Sequence, residues 1–414
     1  MRISLLIASL MMTSAPLHAQ AIDAKTQARI DRILKKTPLI DGHNDLPWEL
    51  RDKYGSHVDN IASGTDRLEK PLQTDIARLR AGRVGGQFWS VYIPAEVTGP
   101  AAIEMTLEQI DVVKRMIAAF PRDLELATTA DDVVRIHRAG KIASLIGMEG
   151  GHHIANNLAA LRAFYDLGAR YMTITHFANN DWADSATADP EHNGLTPFGR
   201  TVIGEMDRIG MLADLSHVSE KTMTDVLAVT RAPVIFSHSN ARALQDHPRN
   251  VSDAVLRLLA ANGGVVMVNF YPGYLSEEVR AFNIARAAEE GRLKAQLIGQ
   301  PDKLKAALDS WDAAHPVPAV PVAVVADHIG HIARVAGHDH VGIGGDLDGV
   351  PYAVVGLGSV DGYPLVFAEL IRRGWSDANL AKLAGGNVLR ALRGAEATAA
   401  AMKKQPPNLE MLPE

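Results

Sequence analysis

Short apolar runs rich in valine and isoleucine recur eight times along the chain, at 38–43, 86–93, 142–148, 170–176, 211–217, 233–238, 263–269 and 340–345. A run of that length, apolar on both faces, is the pattern of a strand covered on both sides of a parallel sheet. Between the runs, stretches such as 160–167 and 222–230 place apolar residues at i, i+3 and i+4, the stripe of an amphipathic helix. Eight strand–helix alternations predict βαβ units closing into a (β/α)8 TIM-type barrel. One region breaks the rhythm. Residues 274–316 are charged and alanine-rich, fall between the seventh and eighth runs, and predict helices near 281–297 and 303–314. The segment has no apolar face sufficient for its own core, so it is expected to be a helical insertion on the barrel, stopped by Pro316, Pro318 and Pro321.

The N-terminus has its own pattern. Arg2 precedes an apolar run of about ten residues, too short to span a bilayer, and Ala19-Gln20-Ala21 follows as a small-residue cleavage site. That is the pattern of a secretory signal over 1–21, which leaves 22–414 as one domain and places the chain in the bacterial periplasm or medium. No later stretch reaches 18 apolar residues, and the tail from Lys403 to Glu414 is polar, so no membrane anchor is expected.

Composition narrows the chemistry. Of 414 residues, 47% are hydrophobic and 22% charged, a globular balance. Lys+Arg is 42 against Asp+Glu 48, a net charge of −6 without blocks of like charge, which argues against a nucleic-acid partner. There is no cysteine, so disulfides, thiolate metal sites and a cysteine nucleophile are excluded. A metal would have to be held by carboxylates and the 16 histidines.

The ionisable residues sit at telling places. The first run ends in His43-Asn44-Asp45, the third in Glu149, and the fourth, fifth and sixth in His176, His217 and His238. Asn269 ends the seventh, and Asp346 follows the eighth. In a (β/α)8 barrel all carboxyl ends of the strands open on one mouth, so these residues would meet in space. His43, Asp45, Glu149, His217 and His238 are too many ligands for one tetrahedral ion with an open position. They suit two zinc ions bridged by Glu149. Asp346, first after its run, is the preferred proton carrier over Asp348. Position alone leaves Arg249 either a solvated loop residue or a carboxylate clamp, and Trp48 and Tyr92 either pocket walls or core aromatics. Ser216 and Ser237 adjoin histidines, but neighbours on a strand face opposite sides, which argues against a serine nucleophile. His247 and His338 lie in polar stretches and are expected at the surface.

The segments Asp41-Gly42-His43-Asn44-Asp45-Leu46-Pro47-Trp48, Gly147-Met148-Glu149-Gly150-Gly151-His152, Asp214-Leu215-Ser216-His217, Pro233-Val234-Ile235-Phe236-Ser237-His238, Arg249-Asn250-Val251 and Gly344-Gly345-Asp346-Leu347-Asp348-Gly349 closely resemble the membrane (renal) dipeptidase family. The likeness runs from about Pro38 to Leu392, apart from the 274–316 insertion. It implies a two-zinc hydrolase of small dipeptides, L-Xaa-L-Xaa and L-Xaa-D-Xaa, attacked by a hydroxide bridging the metals. By motif, His43, Asp45 and Glu149 would hold one zinc, and Glu149, His217 and His238 the other. His176 would bind or polarise the substrate, Arg249 would hold its carboxylate, and Asp346 would shuttle the proton. Trp48, Tyr92 and Tyr274 join as substrate-binding candidates. Another small amide or a β-lactam is the alternative substrate, and a homodimer follows by family analogy. The disulfide and lipid anchor of animal members have no counterpart in this sequence.

Overall fold

The computed structural model describes residues 21–410 and 412. The leader expected over 1–21 lies outside the described residues, Ala21 excepted. Among the described residues there are nine parallel strands: β1 (Leu39–Asn44), β2 (Val84–Tyr92), β3 (Leu124–Leu126), β4 (Ile142–Glu149), β5 (Ala169–Thr173), β6 (Leu212–Asp214), β7 (Ile235–Phe236), β8 (Val265–Val268) and β9 (Val341–Ile343). All eight expected runs carry a strand. Pairing runs β2-β1-β9-β8-β7-β6-β5-β4, and β2 also pairs with β4, so eight strands close on themselves into the (β/α)8 barrel. The ninth, β3, was not anticipated. It pairs with Ile142–Ser144 of β4, on the side that β5 takes over from Ile146 onward, and so extends the barrel at its amino-terminal face, away from the mouth.

Two packed layers hold this arrangement. Inside the barrel, Ile40, Phe88, Leu145, Tyr171, Leu212 and Met267 form one apolar cluster. A larger cluster fills the space between strands and outer helices. Tyr171 fits the interior only because residue 147 is glycine, since a Cβ there would overlap the tyrosine ring. Several helices that follow strands start on a cap. Thr196, Ser219 and Ser252 each accept a hydrogen bond from a first-turn backbone N–H, worth about 1 kcal/mol apiece. A short capped loop, 215–219, leads out of β6, whereas the loop out of β7 runs from 237 to 252 before its capped helix.

The insertion is a pair of helices, Glu277–Gln296 and Pro301–Ala314, between β8 and β9. The second buries no residue and the first buries Val279 and Leu293. Arg286 pairs with Asp312 at 2.6 Å and Phe282 packs on Trp311, which ties the two helices to each other. No helix of the described residues is long and apolar enough to cross a membrane.

Candidate metal centre and substrate pocket

The barrel mouth gathers His43, Asp45, Glu149, His176, His217, His238 and Asp346, all buried. Most lie one to three residues beyond the strand ends, on the loops, where the backbone can turn a side chain inward. The centre of the cluster is Glu149 Oε1. His217 Nε2 lies 3.2 Å from it, His43 Nε2 3.4 Å, His238 Nε2 3.5 Å and His176 Nε2 3.8 Å. Asp45 Oδ2 is 3.2 Å from His43 Nε2. Two of the resulting three-residue groups are His43–Asp45–Glu149 and Glu149–His217–His238, each with its ligand atoms within 4.8 Å of one another. They share Glu149. A third such group, His43–His238–Asp346, brings Asp346 against both.

The donor chemistry fits divalent cations. His43 Nε2 is buried and has no hydrogen-bond partner. His217 and His238 point Nε2 at each other across 2.8 Å. Burial holds both imidazoles well below the ordinary histidine range, with neighbouring positive groups adding to the effect, so both are neutral. Neutral imidazoles with converging nitrogens beside carboxylates are what a borderline-soft ion requires. Burial opposes a proton on His43 too, yet Tyr171, Glu149 and Asp45 outweigh it and draw positive charge to the site. Glu149 itself is raised, chiefly by burial and further by Asp45.

Residues behind these ligands aim them. The Tyr171 hydroxyl donates to the Gly42 carbonyl at 3.2 Å and accepts from His43 Nδ1 at 2.9 Å, which aims Nε2 at the mouth. Behind His238 stands a relay. Ser237 Oγ donates to Asp214 Oδ2 at 2.6 Å and accepts from His238 Nδ1 at 2.8 Å. Asp214 also accepts from Thr173 Oγ1 and from the backbone of Ser216 and Ser237. Asp41 acts similarly for the Asp346 loop, accepting from Gly345 N, Tyr363 and Gln87. Sequence reasoning missed Asp41, Asp214 and Tyr171 in these roles. The signal was a polar group inside an otherwise apolar strand, which must be paired. It also placed Ser237 and His238 on opposite faces. That fails because β7 ends at Phe236 and strand alternation no longer applies beyond it.

A cavity of ≈ 380 Å³ opens over the cluster. Arg249 is 1% exposed and lines it. Its Nε has no partner, and its NH2 groups make only long contacts, to Ser239 at 3.4 Å and the His238 carbonyl at 3.3 Å. The arginine expected in a solvated loop or a clamp is thus buried. His247, expected at the surface, is half-buried instead. Its ring packs on Tyr274, and its Nδ1 accepts from Arg249 N because the tight turn folds it back. Tyr274 lies under the guanidinium at 5.3 Å. Trp48 and Tyr92 meet edge to face at 4.8 Å on the opposite wall. Phe177, unforeseen from the sequence, is 51% exposed at the rim. His176 lies between Tyr92 and Phe177, and burial with nearby Arg249 keeps it neutral.

The Asp346 carboxyl is buried and pushed up to about 7 by burial, with Asp45 and Glu149 adding to the rise and His43 opposing it. Asn269 donates to its Oδ2 at 2.7 Å. Asp348 turns toward Gln73, whose backbone N–H it accepts at 2.6 Å. His217, Asp346 and Asp348 all have left-handed backbones, with φ of 69°, 59° and 64°.

The barrel has counterparts among solved structures. The probable dipeptidase PvdM from Pseudomonas aeruginosa superposes with a TM-score of 0.76 at 25% identity, covering 91% of this chain and 99% of its own. A metallopeptidase from Rhodobacter sphaeroides, solved with a phosphinate mimic of L-Ala-D-Ala, shares the fold with a TM-score of 0.72 at 23% identity, over 87% of this chain and 99% of that one. The sequence profile of the membrane dipeptidases, peptidase family M19, matches residues 27–406, and over that length, with a barrel mouth gathering His43, Asp45, Glu149, His217 and His238, the chain belongs to that family.

Proposed function

We propose that this chain is a two-zinc dipeptidase, cleaving L-Xaa-L-Xaa and L-Xaa-D-Xaa substrates at the mouth of the barrel. The observation that carries the reading is the pair of three-ligand groups sharing Glu149, set below a small cavity that holds one buried, underpartnered arginine. His43, Asp45 and Glu149 would hold one ion, and Glu149, His217 and His238 the second. Bound there, two zinc ions supply Lewis acidity, polarising a carbonyl and lowering the pKa of a water to about 7.

The chain's own groups do the rest. Arg249 takes the free carboxylate of the substrate in charge-assisted hydrogen bonds, and this fixes which amide lies over the metals. A neutral His176 donates an N–H to the scissile carbonyl oxygen as charge develops on it. Asp346 Oδ2 is occupied by Asn269, so Oδ1 takes the proton from the attacking water and hands it to the leaving amine. Asp348, engaged by Gln73, is less well placed for that transfer. Trp48, Tyr92 and Tyr274 wall the space for the two side chains and keep water out. The apolar N-terminal run before Ala19-Gln20-Ala21 supports export, and N-terminal sequencing of the secreted chain tests it, with Ile22 as the expected first residue.

The test pairs metal content with turnover. The mature chain is expected to bind two zinc ions and to cleave L-Ala-L-Ala and L-Ala-D-Ala, and to lose that activity on chelation and recover it with zinc. Asp346→Asn is expected to keep the metals and lose most turnover. A zinc-loaded chain that cleaves a carbapenem or an acyl amino acid but no dipeptide would overturn the substrate assignment.

A further inference from the structure

The insertion of residues 274–316 starts with Tyr274 on the pocket wall and reaches the pocket wall again through Asn283. Asn283, on the helix Glu277–Gln296, donates through Nδ2 to the Tyr271 hydroxyl at 2.9 Å and accepts the Tyr352 hydroxyl at Oδ1. Tyr271 stands two residues beyond Asn269, on the loop leaving β8, and Tyr352 lies on the loop that carries Asp346. One amide therefore bridges the two loops that form this side of the pocket.

Tyr271 is a partition. One side of its ring lines the catalytic cavity. The other faces an adjoining groove of ≈ 900 Å³, whose far wall is Asn283, Ile284 and Ala287 of the insertion. The ring meets Tyr274 edge to face at 4.9 Å, and Tyr274 lies under Arg249. If Arg249 holds the substrate carboxylate, this partition borders the side chain of the carboxyl-terminal residue, not that of the amino-terminal one.

We propose that Asn283 is a positioning residue through which the two-helix insertion sets the size of the carboxyl-terminal side-chain subsite, by pinning Tyr271 against Tyr352. The proposal rests on the dipeptidase reading and adds to it the element that decides the substrate's second residue. One helix of the insertion buries nothing and the other anchors through Val279 and Leu293, so the Asn283 contact is the polar link by which that helix reaches Tyr271 and Tyr352. An amide suits the place because it offers a donor and an acceptor side by side. Aspartate suits it as well, because both tyrosine hydroxyls can donate to a carboxylate. Leucine matches the shape and offers neither. With leucine, the Tyr271 ring is free to turn into the groove and the subsite widens.

The experiment compares the full zinc-loaded chain with Asn283→Leu and Asn283→Asp on L-Ala-Gly, L-Ala-L-Ala, L-Ala-L-Phe and L-Ala-L-Trp, with metal content measured in each. For Asn283→Leu the preference for small over bulky second residues, as a ratio of kcat/KM, is expected to fall about tenfold, the worth of the lost part-buried hydrogen bond to Tyr271. The change should lie in KM rather than kcat. Asn283→Asp should restore the original ratio. A wild-type chain that cleaves the panel while Asn283→Leu leaves the ratio unchanged overturns the proposal, as does an equal loss of kcat on every substrate. A wild-type chain inert on the whole panel overturns the dipeptidase reading and the subsite assignment with it, and the wild-type control alone separates that outcome from the other.

Discussion

Ser237→Ala tests whether the groups behind the metal ligands matter as much as the ligands. The substitution removes an Oγ that donates to Asp214 at 2.6 Å and accepts from His238 Nδ1 at 2.8 Å. Losing a hydrogen bond to a carboxylate costs ~1.5–3 kcal/mol, and leaving the buried His238 N–H without a partner costs a further ~1–3 kcal/mol. Asp214 keeps its other three donors, Thr173 Oγ1 and the backbone of Ser216 and Ser237. The net loss should therefore be about 3 kcal/mol, within the ~5–15 kcal/mol stability of a folded domain. The larger effect is chemical. Without an acceptor at Nδ1, His238 also populates the tautomer with its proton on Nε2, which has no lone pair to offer a metal. Zinc affinity should fall about 10–100-fold, the usual effect of removing a group that orients a ligand. Competition against a chromogenic chelator measures the affinity, and denaturant melts of the apo chain measure the stability. Ser237→Thr, which keeps the hydroxyl, should bind zinc nearly as the wild type does. A Ser237→Ala chain with wild-type zinc affinity would refute the relay.

Arg249→Ala should raise KM for dipeptides by roughly 30–1000-fold, the effect of truncating one partner of a buried ion pair worth ~2–4 kcal/mol, with a smaller change in kcat. Steady-state kinetics on L-Ala-L-Ala decides it, and an unchanged KM would remove the carboxylate clamp. Gly344→Ala should destabilise the chain by at least ~2–3 kcal/mol, because a Cβ there overlaps the Ser237 carbonyl and that backbone cannot retreat without moving His238. Urea unfolding and metal content should both report the damage. His328 is buried, its Nδ1 accepts the Ala241 N–H at 3.1 Å, and burial lowers it from 6.5 to about 4. Between those values the unfolded chain binds the extra proton, so the stability contributed by neutral His328 is complete above pH 6.5 and is lost as pH falls toward 4. Unfolding at pH 7 and pH 5 should therefore show a drop about 2 kcal/mol smaller for His328→Gln than for the wild type.

The barrel was legible because parallel strands covered on both faces are largely apolar, and eight such short runs alternate with helix-length segments. β3 escaped notice because three residues with Glu125 half-exposed carry too little pattern to separate from a loop. The candidate ligands stood out for a related reason. A histidine or carboxylate that ends an apolar run is costly unless something at the strand end engages it. The groups that aim those ligands were hidden, since Asp41 and Asp214 belong to the strands themselves and their partners come from distant positions. Tyr352 and Asn283 are 69 residues apart, and no local periodicity connects them. The ring of His247 was misread because polarity along a turn says little about whether the turn folds back on the core.

The left-handed backbones at His217, Asp346 and Asp348 bear on how the protein would respond to selection for endurance alone. Such a conformation costs an ordinary residue roughly 1 kcal/mol that glycine escapes, with aspartate and histidine penalised less than most. A screen that rewards survival of heating, blind to turnover, should therefore collect glycine at these positions. The survivors would be hardier and, having lost an imidazole or a carboxyl at the mouth, would be poorer at the chemistry proposed for it. In this chain heat tolerance and chemistry compete at individual residues, and any programme of stabilisation would have to keep those three positions fixed.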